Sequence, residues 1–375
     1  MPSLDAIQSV ADARKHAQRR LPWMIFDFID GGAGEERTDR RNQSALEAVE
    51  LMPRVFRNVE QRRLGVTLLG HDYGLPFGIA PMGMCNLSWP GADAAFAASA
   101  IRHNLPHCLS TAASTSLEDA FAHCGERAWF QLYVSDADAA WHLVQRAQDA
   151  GYKHLILTVD TPVISRRRRE LRRGFKVPFR IGPSQFVDFA LHPRWSLSTL
   201  WNGPPTFGNN AAPDGKPAFN RAQSRSGVDW RFLDKLRAAW PHLLIVKGVL
   251  HPDDARRIAG AGVDAIYVSN HGGRQLDSAP AALSRLRVLR ETLGPEYPLI
   301  FDSGIRSGED IVKAYALGAD YVMLGRPFLY AVAAAGRPGV AHIVDLLAEE
   351  VSTTLAQLGQ QSLLDVDGAC LASAK

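Results

Sequence analysis

The string SNHGGRQLD (Ser269–Asp277) holds the residue types best suited to chemistry in this chain. It sets His271 and Arg274 on one short segment, with two glycines between them and an apolar run just ahead. A neutral imidazole takes a proton and a guanidinium holds an anion. The pair therefore suits removal of a proton or hydride beside a carboxylate. A lone loop histidine is more often structural. Here Asp160, at the end of HLILTVD, offers a carboxylate to orient the imidazole and stabilise its charged form.

Two further strings combine glycine with arginine. DSGIRSG contains Asp302, Ser303, Gly304 and Arg306, and LGRP contains Gly325 and Arg326. Glycine lets backbone N–H groups approach an anion, and arginine adds a bidentate charge, so both strings suit phosphate. The run Arg166–Arg169 reads more simply as a solvated charged face.

These residues need a frame. Eight short apolar runs recur: Pro76–Pro81, His107–Thr111, Trp129–Val134, His154–Asp160, Leu243–Gly248, Ala265–Asn270, Pro298–Gly304 and Tyr321–Gly325. Helix patterns separate them, among them Ala92–His103, Asp136–Ala150, Pro252–Ala261 and Gly308–Leu317. Apolar strands alternating with helices predict a parallel sheet covered on both faces. Eight such units predict an α/β fold closed as a (β/α)8 TIM barrel, with an open doubly wound sheet as the alternative. In a barrel, function gathers at the C-terminal strand ends, often with phosphate held after strands seven and eight. Those ends carry Met82, Gly83, Ser110, Gln131, Tyr133, Thr158, Asp160, Lys247, Ser269, His271 and the two glycine–arginine strings. Residues 1–70 read as an N-terminal helical cap. Residues 174–227, after strand four, read as a long irregular insertion loop within one domain spanning 1–375.

Composition narrows the class. The chain has 375 residues, is 46% apolar and carries a formal charge of +3, too small to point to nucleic acid. Cys85, Cys108, Cys124 and Cys370 show no metal-ligand spacing, so no metal is expected. The first residues carry acids and no apolar core and do not read as a signal peptide, and no stretch reads as a membrane span, which suggests a cytoplasmic setting.

Together, SNHGGRQLD, LTVDTP, FQLYV, VKGV, DSGIRSG and LGRP resemble the FMN-dependent 2-hydroxy-acid dehydrogenases and oxidases. That family includes glycolate oxidase, L-lactate dehydrogenase and (S)-mandelate dehydrogenase, and the resemblance runs from Leu21 to Leu364. It implies oxidation of an L-2-hydroxy acid to the 2-keto acid with FMN as cofactor. It implies that His271 is the base and Asp160 its partner, and that Arg274 and Arg167 clamp the substrate carboxylate. Tyr133 would bond the substrate oxygen. The flavin ring would lie against Pro81, Met82, Gly83, Ser110, Gln131, Thr158, Ser269 and Lys247. Its ribityl and phosphate would meet Asp302, Ser303, Gly304, Arg306, Gly325 and Arg326. A homotetramer is implied in the same way.

The departures are informative. Phe28 stands where the family's cap carries a substrate-binding tyrosine, so one hydrogen bond to the carboxylate is expected to be missing. Ala112 stands where glycolate oxidase-like members carry a bulky aromatic. With Ile164 nearby it leaves room for an aryl substrate such as mandelate, with lactate next. Gly83, where oxidases tend to carry alanine, points to a dehydrogenase passing electrons to a quinone or other carrier. The segment His192–Pro205 resembles a loop that attaches some members to the bacterial inner membrane. It offers Trp195, Leu197, Leu200 and Trp201, with Phe207 just beyond. Peripheral membrane contact and a substrate-gating loop with buried aromatics both remain open. The other classes considered are an oxygen-using oxidase, a flavin isomerase and an inactive flavin-binding paralogue.

Overall fold

The computed structural model describes residues 3–176, 181–209 and 224–372. Eight parallel strands close into a barrel: β1 (Phe77–Met82), β2 (His107–Ser110), β3 (Ala128–Leu132), β4 (His154–Thr158), β5 (Leu243–Val249), β6 (Ala265–Val268), β7 (Leu299–Phe301) and β8 (Tyr321–Leu324). They pair in chain order and β8 returns to β1. Every residue of β3 and β4 is buried, as expected for strands with both faces covered. The return of β8 to β1 excludes the open doubly wound alternative.

The strands stop earlier than the apolar runs suggested. β4 ends at Thr158, two residues before Asp160, and β7 ends at Phe301, one before Asp302. Tyr133, Asp160, Ser269 and Asp302 therefore lie on the first loop residues past the ladder, free of its alternation. The ladder also slips twice, between Ile79 and Met82 of β1 and between Lys247 and Val249 of β5.

Three helices precede the barrel: α1 (Val10–Arg20), α2 (Trp23–Asp30) and α3 (Arg37–Glu47). Ser9 caps α1 by accepting from the Asp12 N–H. Between them α2 and α3 cover the C-terminal mouth, where Asn42 of α3 pairs with Asn270 at 2.8 Å. Outside the barrel follow α4 (Ala92–His103), α5 (Leu117–Cys124) and α6 (Ala137–Ala150). Asp136, expected as the first residue of α6, is its cap, accepting from the Ala139 N–H at 3.0 Å.

The insertion after β4 is more ordered than its composition suggested. A short α7 (Arg168–Arg172) precedes two further helices, α8 (Pro183–Leu191) and α9 (Pro193–Asn202), each opened by proline in its first turn. Positions 177–180 and 210–223 of the expected 174–227 loop lie outside the described residues. The barrel resumes with α10 (Trp230–Ala239), α11 (Pro252–Gly260), α12 (Ala282–Leu293), α13 (Gly308–Ala316) and α14 (Arg326–Leu358). Contrary to the sequence reading, α14 is long and apolar enough to cross a membrane. Most of that stretch is buried against the protein, as in a core helix. It kinks at Ala335 and Gly336, where Gly336 leaves room for the Trp89 ring.

Candidate active site

A cleft opens at the C-terminal mouth of the barrel. Its walls bring together Phe28, Pro81, Met82, Gly83, Ser110, Ala112, Tyr133, Thr158, Ile164 and Arg167 with Lys247, His271 and Arg274. Asp302, Ser303, Gly304, Arg306, Gly325 and Arg326 complete it. Three expected residues lie one layer behind. Gln131 accepts from the Ser110 hydroxyl at 2.7 Å, Ser269 accepts from Lys247 Nζ at 2.6 Å, and Asp160 backs His271.

The loop after β6 presents the histidine. His271, Gly272 and Gly273 all have positive φ, at 59°, 60° and 73°. Gly273 is obligatory there, since a Cβ would stand 2.5 Å from the Asp39 nitrogen. His271 keeps its left-handed backbone because its own N–H donates to Ser269 Oγ and the next N–H to Ser303 Oγ. Its Nδ1 lies 3.1 Å from Asp160 Oδ1 and its Nε2 lies 3.3 Å from the Tyr133 hydroxyl. With a carboxylate at Nδ1, that nitrogen carries the proton and Nε2 presents the lone pair.

Burial holds the His271 imidazole below its ordinary value against the pull of Asp160, and the charges of Lys247 and Arg167 add to this. Burial alone would raise the Asp160 carboxyl, yet His271 and Lys247 keep it below the usual range. The ring is therefore neutral and basic at neutral pH beside an ionised carboxylate. Gly248 makes the contact feasible: its φ is 101°, and a Cβ there would lie 2.5 Å from the Asp160 Cβ. The slip in β5 thus lets strand four's loop close over strand five.

Lys247 is buried between Asp302 Oδ2 at 3.0 Å and Ser269, with its ammonium 4.6 Å above the Tyr267 ring. Burial pulls its pKa down, but Asp302 and Asp160 more than offset this and keep it charged. Beyond it, Arg326 donates to Asp39 at 2.7 Å and to the Gly31 carbonyl at 3.2 Å. Arg306 stands 3.9 Å from the same carboxylate. Two guanidiniums thus converge beside the DSGIRSG turn, where Ser303 and Gly304 have φ of 89° and 102°.

Opposite, Arg274 donates to the carbonyls of Gly31 at 2.5 Å and Phe28 at 2.9 Å, and shares Glu170 with Arg167, each at 3.2 Å. The arginine run resolves accordingly. Arg167 faces the cleft, Arg168 pairs with Glu35, and Arg169 bridges Asp27, Asp30 and Glu36. Arg169 is thus an internal clamp and not the solvated residue its sequence context suggested. Phe28 stacks on Phe175 at 4.4 Å, giving the cleft one aromatic wall.

Sequence reasoning missed Glu170, Phe175 and Arg225, and named Phe207 only as an aromatic of the insertion. Glu170 was discoverable three positions after Arg167, on the same helical face. Phe207 and Arg225 reach the cleft from the insertion, where no spacing betrays them. Arg225 lies over the Tyr133 ring at 4.8 Å. Two insertion aromatics, left open by the sequence between an interface and a buried role, turn inward: Phe207 lines the cleft, and Trp195, 4% exposed, donates to the Leu87 carbonyl at 2.7 Å.

A barrel with convergent arginines after strands seven and eight, a charged lysine in its floor and a histidine–carboxylate pair above defines an enzyme that uses a phosphorylated cofactor. The model of the FMN-dependent dehydrogenase family matches residues 17–373, and the chain belongs to that family. It is 39% identical to (S)-mandelate dehydrogenase of Pseudomonas putida over 94% of this chain and 90% of that protein. It is 37% identical to L-lactate dehydrogenase of Caulobacter sp. (strain K31) over 98% of both. A crystal structure of the monotopic membrane protein (S)-mandelate dehydrogenase superposes with a TM-score of 0.93 at 37% identity, over 97% of this chain and 99% of that one. A mandelate oxidase structure superposes at 0.80 with 35% identity, over 97% of each chain.

The cofactor is therefore FMN and the protein an oxidoreductase. The residues present fit that group. Gln131 Nε2, Thr158 Oγ1 and Arg326 Nε are buried without a hydrogen-bond partner among the described residues. Buried polar atoms are seldom left so, and a flavin's ring and phosphate supply what they lack.

Proposed function

We propose that the protein oxidises an L-2-hydroxy acid with an aryl or bulky apolar side chain to its 2-keto acid, passing the electrons to a membrane carrier such as a quinone and not efficiently to oxygen. The observation that carries this is the line Tyr133 hydroxyl, His271 Nε2, His271 Nδ1, Asp160, set in a cleft that also presents Arg167 and Arg274.

Arg167 and Arg274 bind the substrate carboxylate, with Glu170 keeping both forks aimed. The substrate hydroxyl then sits between Tyr133 and His271. His271 Nε2 takes the hydroxyl proton, and Asp160 stabilises the imidazolium that forms. Tyr133 donates to the same oxygen as it becomes a carbonyl. FMN, when bound, would take the hydrogen of the substrate carbon together with its bonding electron pair, as a hydride, so that the C–H bond breaks as the C=O bond forms. Gln131, Ser110, Thr158 and the backbone of Pro81–Gly83 would hold its ring, Lys247 with Ser269 behind it would supply positive charge to the reduced ring, and Asp302 would hold the ribityl chain. Ser303, Gly304, Arg306, Gly325 and Arg326 hold the phosphate.

Ala112 and the Phe28–Phe175 wall give the substrate side chain apolar space without a hydroxyl for its carboxylate. Phe28 touches substrate through its ring alone. The helices α8 and α9 form a membrane-facing surface on which Phe186, Leu191, Leu197 and Leu200 are exposed and Trp201 is 91% exposed. Exposed apolar patches of this kind suit an interface. In this reading one domain spans the chain, works as a homotetramer and sits on the inner face of a membrane.

The test is anaerobic mixing of purified protein with a panel of L- and D-2-hydroxy acids while flavin absorbance is followed. Bleaching by an L-aryl acid, with slow recovery in air, is expected. Bleaching by no acid overturns the substrate class, and fast recovery in air overturns the acceptor. Deleting 182–220 is expected to release the protein from membranes, and unchanged partitioning would sink that part.

A further inference from the structure

Beside the apolar helices lies a second cleft, between α1, the start of α9 and α14. His16, Arg19, Arg20 and Arg194 line it together with Trp89 and Leu191. Among the described residues none of these four basic side chains makes an ion pair with a carboxylate. The Arg20 guanidinium carbon lies over the Trp89 ring at 3.6 Å, with its Nε buried and without a hydrogen-bond partner among the described residues. This seat is built into the fold: Gly336, at the kink of α14, leaves the Trp89 ring its place, since a Cβ would stand 2.8 Å from it. Burial, with the like charge of Arg194 adding to it, brings the Arg20 guanidinium down to about 10. The first turn of α9, a ten-residue helix, opens onto the same cleft and adds its positive end.

We propose that Arg20 and Arg194 form a site for the phosphate of an anionic phospholipid, whose acyl chains lie along the exposed apolar side chains of α9. This rests on the membrane-facing reading of α8 and α9 above. The chemistry is that of phosphate recognition by paired arginines, one pre-set on an aromatic face and so ordered at low cost. A lipid source is favoured by continuity: Leu191 lines the cleft and is 60% exposed, and Leu197 and Leu200 lie along the helix that begins there. The bilayer's headgroup layer and its hydrocarbon thus each meet a matching part of one surface.

The experiment is co-sedimentation of the FMN-loaded full chain with vesicles of phosphatidylcholine, with and without phosphatidylglycerol. Wild type is expected to prefer the phosphatidylglycerol vesicles. The Arg20→Gln/Arg194→Gln variant should bind them about tenfold more weakly with unaltered turnover of 2-hydroxy acid in solution. A charge-matched control, Arg231→Gln/Lys235→Gln on exposed α10, should bind like wild type. If the Arg20/Arg194 variant matches wild type on these vesicles, the site is overturned while membrane attachment stands. If wild type binds no vesicle at all, the membrane reading itself has failed and this site with it. Displacement of vesicles by millimolar glycerol 3-phosphate, with no preference among lipids, would assign the cleft to a soluble phosphate ester and overturn the lipid source.

Discussion

The carboxylate of Asp188 accepts the backbone N–H groups of Trp23 at 2.9 Å and Met24 at 3.2 Å, closing the N-terminus of α2 from a helix in the insertion. The far end of α2 offers the Phe28 and Gly31 carbonyls to Arg274. The apolar surface of α8 is therefore wired through one short helix to the proposed carboxylate clamp. Losing such a cap costs about 1 kcal/mol, or roughly fivefold if felt in binding. Asp188→Ala is expected to raise KM severalfold with kcat nearly unchanged, and Asp188→Asn, which keeps an acceptor, to stay near wild type. A fall in kcat with KM unchanged would count against this coupling.

The balance around His271 sets a pH dependence. Only the neutral ring accepts a proton, and burial lowers its pKa below 6.5. Activity should thus fall on the acid side with a midpoint in kcat/KM below 6.5. Asp160 is the influence that raises this pKa, so Asp160→Asn should move the midpoint lower still. It also removes the group that orients the ring, and a kcat loss of about 10²- to 10⁴-fold is expected. A midpoint that rises or stays fixed contradicts the arrangement.

Gly248 is the quiet requirement of the site. A Cβ there collides with Asp160 at 2.5 Å and the backbone sits at a φ of 101°, so Gly248→Ala is strained twice over. We expect it to abolish most turnover while flavin remains bound, as Asp160 is pushed off His271. Gly260→Ala, which meets nothing within 4 Å, serves as the neutral comparison. Equal activity of the two variants would remove Gly248 from the account.

Gly83 and Ala112 form a second pair. A Cβ on Gly83 would stand 3.0 Å from the Ala112 Cβ and 3.2 Å from its carbonyl oxygen, tight but not prohibitive. Gly83→Ala should lower dye-linked turnover and raise the share of electrons reaching oxygen, measured as peroxide. Adding Ala112→Gly should recover much of the turnover by relieving the contact. Ala112→Trp alone is expected to shift preference from aryl to small hydroxy acids, read as the ratio of kcat/KM values.

The sequence by itself determined the barrel, because eight apolar runs with covered faces admit few other closures. It also determined the residue types at the strand ends: His271, Arg274, Asp160, Lys247 and the two glycine–arginine turns were legible as local strings. What only the tertiary structure decided are relationships across long separations. Asp160 and His271 stand 111 positions apart, and they meet because β5 slips at Gly248. Trp195 and Phe207 could by sequence have served either an interface or the interior, and they turn inward, since their partners come from other strand ends. Arg169 looked solvated and instead joins α7 to α2, to Asp30 at its end and to Glu36 beyond it. Period and composition report whether a residue faces the interior. Which distant residue it meets there depends on how the strands register and where the loops fold back, and no local window of the chain carries that information.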